Sequence, residues 1–133
     1  MVFLGGYSQG ADVIARALPK LTSSARSLIK GVVLFGDPGY LPNRAINAPG
    51  LNPANHGYFP WSTTAANLLD NLKTQGWNAD TNKSGWRQTV RSYCRKGDAV
   101  CQNVVVSGWD IHENYTAYIA PAHAYLRNFL LQG

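Results

Sequence analysis

Charge is scarce in this chain of 133 residues: only 14% of it is Asp, Glu, Lys or Arg, against 45% hydrophobic residues. That balance excludes a disordered chain and a charge-flanked coiled coil. Acidic residues are the scarcer kind, seven against twelve Lys and Arg, for a formal net charge of +5. The basic excess is dispersed, with only Arg95-Lys96 adjacent, so it describes a solvated surface and argues against a nucleic-acid partner. No apolar run approaches the roughly 18 residues of a membrane span. The opening Met-Val-Phe-Leu-Gly-Gly has no basic region ahead of a long apolar one, so it does not read as a secretory leader. Cysteine is nearly absent. Cys94 and Cys101 stand seven apart, which excludes a CxxC metal or redox motif and permits a local disulfide. No metal site and no cofactor motif is expected. Internal repeats and low-complexity segments are also lacking, and the length is that of one domain, 1–133.

What is present reads as α/β. Val2-Phe3-Leu4 is a short apolar run stopped by Gly5-Gly6, and residues 11–18 follow with Val13, Ile14, Ala17 and Leu18 on one helical face before Pro19. A second helix is expected over 24–30, with Ala25, Leu28 and Ile29 inward. Val32-Val33-Leu34-Phe35 is apolar without alternation, as in a parallel strand covered on both faces. The order strand, helix, helix, strand is a βαβ crossover. Residues 42–62 read as a loop, 63–75 as a helix ending at Gly76, and 89–94 as a strand. Val104-Val105-Val106 reads as an extended piece or the start of a turn. A last helix is expected over 121–131, with Pro121 in its first turn. Asn82 and Asn114 head Asn-x-Ser/Thr triplets, which fit a secreted protein.

Gly6-Tyr7-Ser8-Gln9-Gly10 is a Gly-x-Ser-x-Gly sequence set between a strand and a helix, the setting of a nucleophile elbow. So tight a turn is expected to need both glycines to avoid clashes. The helix start would aim free N–H groups, that of Gln9 among them, at a developing oxyanion. A serine nucleophile needs a base and an acid that orients it. His112, in a loop ahead of the last helix, is the favoured base. His123 lies within that helix, and His56 precedes any credible acid. Asp98 sits between the cysteines, where a disulfide would hold its carboxylate still. Asp37, in the turn after the 32–35 strand, competes with it, and Asp110 is too near His112 to partner it.

Gly6-Tyr7-Ser8-Gln9-Gly10, Phe35-Gly36-Asp37-Pro38, the Cys94…Asp98…Cys101 loop and His112 with a Tyr three residues on resemble the cutinase and acetylxylan esterase family. The resemblance covers about residues 1–44 and 88–133. It implies a three-layer α/β-hydrolase fold with a short parallel sheet, a secreted serine esterase acting on a cutin-type polyester or an acetylated polysaccharide, and a Cys94–Cys101 disulfide. It also implies Ser8 as nucleophile, Asp98 as acid, His112 as base and Gln9 as one oxyanion donor. Family members carry an N-terminal half before the nucleophile strand, so earlier strands of the sheet are expected to be missing here. Residues 45–87 exceed the family's link and are expected to form either a wall or lid over the site or an aromatic-stapled surface excursion. Tyr7, Trp61 and Trp109 are the expected substrate contacts. The competing reading is an inert remnant or an interaction module presenting an aromatic surface. An exposed edge at Val2–Leu4 points to self-association.

Overall fold

The computed structural model describes residues 1–78 and 83–130, with only the backbone described at 77 and 78. Asn82 and the expected helix end at Leu131 lie outside the described residues. The chain runs β1 (Val2–Tyr7), α1 (Gln9–Ala17), a 3-10 turn (Leu18–Lys20), α2 (Ser23–Ser27) and β2 (Ile29–Phe35). It continues through α3 (Thr63–Asn71), β3 (Lys73–Asn78), β4 (Lys83–Gln88), β5 (Val90–Tyr93), α4 (Trp109–His112) and α5 (Thr116–Leu130).

Strands β1, β2 and β5 form a parallel sheet with β2 in the middle, the expected βαβ crossover. The unbroken apolar run in β2 has the expected cause. Val32 and Leu34 pack into a core with Ala11, Ala15, Ile46, Ala66 and Leu69, the α1 and α3 side. Val33 and Phe35 belong to a second core with Tyr93, Ala122, Tyr125 and Phe129, the α5 side. Helices on both faces of one sheet make the three-layer α/β arrangement. Residues 46–48 lie along the outer side of β5, where Ser92 N donates to Ile46 O and Ala48 N donates to Ser92 O, both at 2.8 Å. The other edge of β1 pairs with no strand among the described residues.

Four local expectations are corrected. The second helix stops at Ser27, and Ile29 and Lys30 already belong to β2. The Leu repeat of α3 ends at Asn71, because Leu72 turns extended and Lys73–Asn78 pairs antiparallel with Lys83–Gln88 in a hairpin that apolar spacing had not indicated. Gly76 of that hairpin sits against Phe129, where a Cβ would come within 2.9 Å of the ring. Helix α5 starts at Thr116, so Pro121 lies inside it and deletes one N–H···O bond on an exposed side. His112 sits on the single-turn helix α4.

Trp61 is also corrected. It is 4% exposed and packs in the α1–α3 core against Gly39, where any Cβ would overlap its indole. Trp86, by contrast, is 69% exposed. Trp61→Ala should therefore cost about 3–5 kcal/mol in urea unfolding, and Trp86→Ala less than about 0.5 kcal/mol. Equal losses for the two would contradict the packing described here.

Candidate active site

All the candidate groups stand at the carboxyl ends of the parallel strands, where open α/β sheets build their sites. Ser8 follows β1, Gly36 follows β2, and the 94–101 loop follows β5. Ser8 holds φ 55°, a left-handed value unusual for a residue with a Cβ, as it caps α1. Its N–H donates to Phe35 O at 2.8 Å, and its carbonyl accepts from Asp12 N at 3.1 Å. The bend needs Gly6, where a Cβ would fall 2.7 Å from Ala11 N. It does not need Gly10, which faces open space, contrary to the expectation of two steric glycines.

Ser8 Oγ lies 2.9 Å from His112 Nε2, and His112 Nδ1 lies 3.0 Å from both carboxylate oxygens of Asp98. Asp98 is fully buried and His112 nearly so. The carboxylate is satisfied by three further donors: Val100 N at 2.7 Å, Cys101 N at 2.9 Å and Tyr115 Oη at 2.7 Å. An ionised carboxylate only accepts, so the His112 proton sits on Nδ1 and Nε2 is left free to accept from Ser8. Burial, with the adjacent Asp98 charge, raises the Tyr115 phenol well above its ordinary value and keeps it a donor. Tyr115 also accepts from Arg95 N at 3.0 Å.

The loop bearing Asp98 is closed by a Cys94–Cys101 disulfide. Gly36 and Gly108 let this assembly close up. A Cβ on Gly36, at φ 60°, would fall 2.9 Å from the imidazole, and one on Gly108 would strike the backbone of residues 97 and 99. Tyr7 does not line the cleft beside Ser8, as had been expected. It stacks on His112 at 5.0 Å and donates to the His112 carbonyl at 3.0 Å, fixing the imidazole from behind. Nothing in the sequence spacing signalled that role, nor that of Tyr115.

Beside Ser8 opens a cleft of about 410 Å³ walled by Pro38, Tyr58, Phe59, Val105 and Trp109, with Gln9 and Asp12 at its margin. Trp109 is half exposed and donates from Nε1 to Val105 O at 2.9 Å. Gln9 is the first residue of α1, so its N–H has no acceptor within the helix. Phe59 is held by Pro38 O, which accepts its N–H at 2.8 Å, and by Arg16, which bonds its carbonyl and Asp12 together. The 45–87 stretch is thus split. Tyr58 and Phe59 stand at the cleft, Trp61 is in the core, and Trp86 lies at the far end of the sheet. His56 and His123 are exposed, and neither lines the cleft beside Ser8. Asn114 is exposed. Among the described residues no His/Cys/Asp/Glu group could hold a metal ion, and no helix is long and apolar enough to cross a membrane.

Asp37 is not the imidazole's partner. Its Oδ1 accepts from Gly39 N at 2.7 Å, while Oδ2 is buried without a partner. Burial is the main cause of a carboxyl pushed up to about 7. The raised value means the folded state keeps a proton that the unfolded chain releases, so stability falls as pH rises from about 4 to about 7 and is level above that. Asp37→Asn, which retains the acceptor for Gly39, should stabilise by about 2–4 kcal/mol near pH 8.5 and by nothing measurable near pH 4. Thermal unfolding across that range checks it, and a pH-independent difference would contradict it.

The comparisons with known proteins agree with one another. The family profile described as Cutinase matches residues 1–130. The chain is 49% identical over 47 residues to "Cutinase 3" of Emericella nidulans, covering 31% of this chain and 21% of that protein. It is 54% identical over 37 residues to "Cutinase" of Hypocrea jecorina, covering 28% and 15%. Among solved structures, an acetylxylan esterase superposes with TM-score 0.70 at 23% identity, covering 96% of this chain and 59% of that one. The catalytic core domain of acetyl xylan esterase from Trichoderma reesei superposes with TM-score 0.66 at 21% identity, covering 93% and 57%. At such identities the structures show a common fold, and this chain spans under two thirds of their length.

Proposed function

As the chain belongs to the cutinase family, we propose that it is a serine esterase that hydrolyses carboxylic esters through an acyl-enzyme on Ser8. The observation that carries this reading is the unbroken hydrogen-bonded chain from Ser8 through His112 to Asp98. Ser8 Oγ attacks the ester carbonyl as His112 Nε2 takes its proton. The carbonyl oxygen becomes an oxyanion beside the start of α1, where the Gln9 N–H donates to it. Collapse of the tetrahedral species breaks the C–O bond, and His112 returns the proton to the departing alcohol. Water, deprotonated by the same imidazole, then attacks the acyl-enzyme and releases the acid. Asp98 stays ionised and holds the imidazolium in place. The steps as written use only side chains and water.

The apolar walls of the cleft suit an acyl chain, and the names of the relatives point to a cutin-type polyester or an acetylated polysaccharide as substrate. The disulfide supports an extracellular, oxidising setting. An inert remnant has no observation in its favour, since the serine, imidazole and carboxylate stand in bonding order.

Incubation with an organophosphonate ester should add one phosphonyl group to the chain by mass spectrometry, and Ser8→Ala should abolish the addition. On a nitrophenyl ester, Ser8→Ala should lower kcat by about 10⁶-fold. Asp98→Asn should lower it by about 10⁴-fold with a smaller change in KM, because the tautomer is then wrong. Undiminished labelling of Ser8→Ala would reject the nucleophile, and full activity of Asp98→Asn would reject the orienting acid.

A further inference from the structure

A second concavity lies at the opposite pole of the sheet, at the amino ends of β2 and β5. Its volume is about 490 Å³, and it continues into a smaller one of about 170 Å³ through the shared residues Lys30, Thr74 and Gln75. The floor is apolar, made by Leu18, Ile29 and Leu72. One strand length, about 20 Å, separates this trough from Ser8, so it is no extension of the catalytic cleft.

The β3–β4 hairpin forms one side, and its two faces differ. Gly76 and Arg87 lie against the rings of α5, with the Arg87 guanidinium 5.8 Å from the Phe129 centroid. Trp86 pairs with Gln75 across the hairpin, so alternation turns both to the other face, together with Lys73. The Trp86 indole on that face is 69% exposed. Three cations, Arg26, Lys30 and Lys73, line the trough, and none forms an ion pair with a described residue. Among the described residues no carboxylate lines either concavity.

We propose that this trough is a binding site for an acidic polysaccharide, a polymer of uronic-acid residues, which anchors the protein away from its reacting centre. The chemistry matches piece by piece. A pyranose ring offers a flat apolar face to Trp86, its hydroxyls meet Gln75, and its carboxylates meet Lys30, Lys73 and Arg26. The open, elongated shape suits a linear chain. Nucleic acid is a poorer match, because its regular phosphates call for a row of cations, and the basic residues outside the trough are scattered. The proposal does not rest on the esterase reading, since binding is read without turnover.

The test is affinity electrophoresis of the full chain in gels containing polygalacturonate, a neutral galactan or neither. Retardation is expected in the polygalacturonate gel alone, weakened about tenfold on raising salt to about 0.2 M. Trp86→Ala should weaken it about fivefold, with Trp86→Tyr restoring most of it. Lys30→Gln combined with Lys73→Gln should weaken it at least about tenfold. All three variants should keep wild-type hydrolysis of a small soluble ester and wild-type melting, which separates lost binding from lost folding. Ser8→Ala should be retarded like wild type, so failure of the nucleophile assignment leaves this result standing. Equal retardation by the neutral polymer, or unchanged retardation of both the Trp86→Ala and the double Lys variants, would overturn the proposal. So would tighter binding of DNA or anionic vesicles through the same residues.

Discussion

One buried carboxylate organises this molecule. Asp98 has no solvent contact, and an ion so placed is tolerable only where the protein replaces the water it lost. Here two backbone N–H groups from its own loop, one phenol and one imidazole do so. Each donor comes at a structural cost elsewhere. The backbone pair requires the chain to fold tightly after Gly97, at φ 83°, inside the ring closed by Cys94 and Cys101. The phenol requires α5 to begin close behind, with Tyr115 at its threshold. The imidazole requires Gly36 and Gly108 to have no side chains. Remove the carboxylate and these constraints lose their common purpose.

The sheet divides the remaining work between its two ends. At the carboxyl end the strands deliver a strained serine, a side-chain-free Gly36 and the disulfide ring to one spot, so the reacting geometry rests on strand register rather than on mobile loops. Tyr58 and Phe59 extend that spot into an apolar wall, and their backbone bonds to Val100 O and Pro38 O tie the wall to the acid loop and the β2 turn. At the amino end the same strands leave a basic trough flanked by a hairpin. A parallel sheet permits this separation because all its carboxyl ends point one way.

The parts of the site legible in the sequence were those fixed by local chain chemistry. A serine between a strand and a helix must sit on a bend, and an aspartate between two nearby cysteines must sit in a small ring. The β2 run was legible for the same reason, since four adjacent apolar residues need cover on both faces. What stayed hidden depended on partners distant in sequence. Tyr7 looked like a substrate contact because it adjoins the serine, but its ring is claimed by an imidazole 105 positions away. Trp61 looked like part of a lid because it sits among prolines and asparagines, but Gly39 makes a slot for it in the core. The β3–β4 hairpin escaped notice because Lys73–Asn78 has almost no β-branched residue, and packing on α5 stabilises it instead.

The contrast between Asp98 and Asp37 shows why position after a strand was not enough to choose the acid. Both are fully buried, and both follow a strand of the same sheet. Asp98 meets four donors, whereas Asp37 meets one N–H and leaves an oxygen with no partner. Burial therefore raises the Asp37 carboxyl to about 7, and near neutrality it is a proton-sharing turn residue that shapes the Gly39 slot for Trp61. A group so poorly solvated would be a weak anchor for an imidazolium, because its charge is already costly before any partner arrives. The fold thus assigns the two carboxylates by donor count. The loop that supplies two backbone N–H groups holds the acid, and the turn that supplies only one holds the neighbouring core in shape.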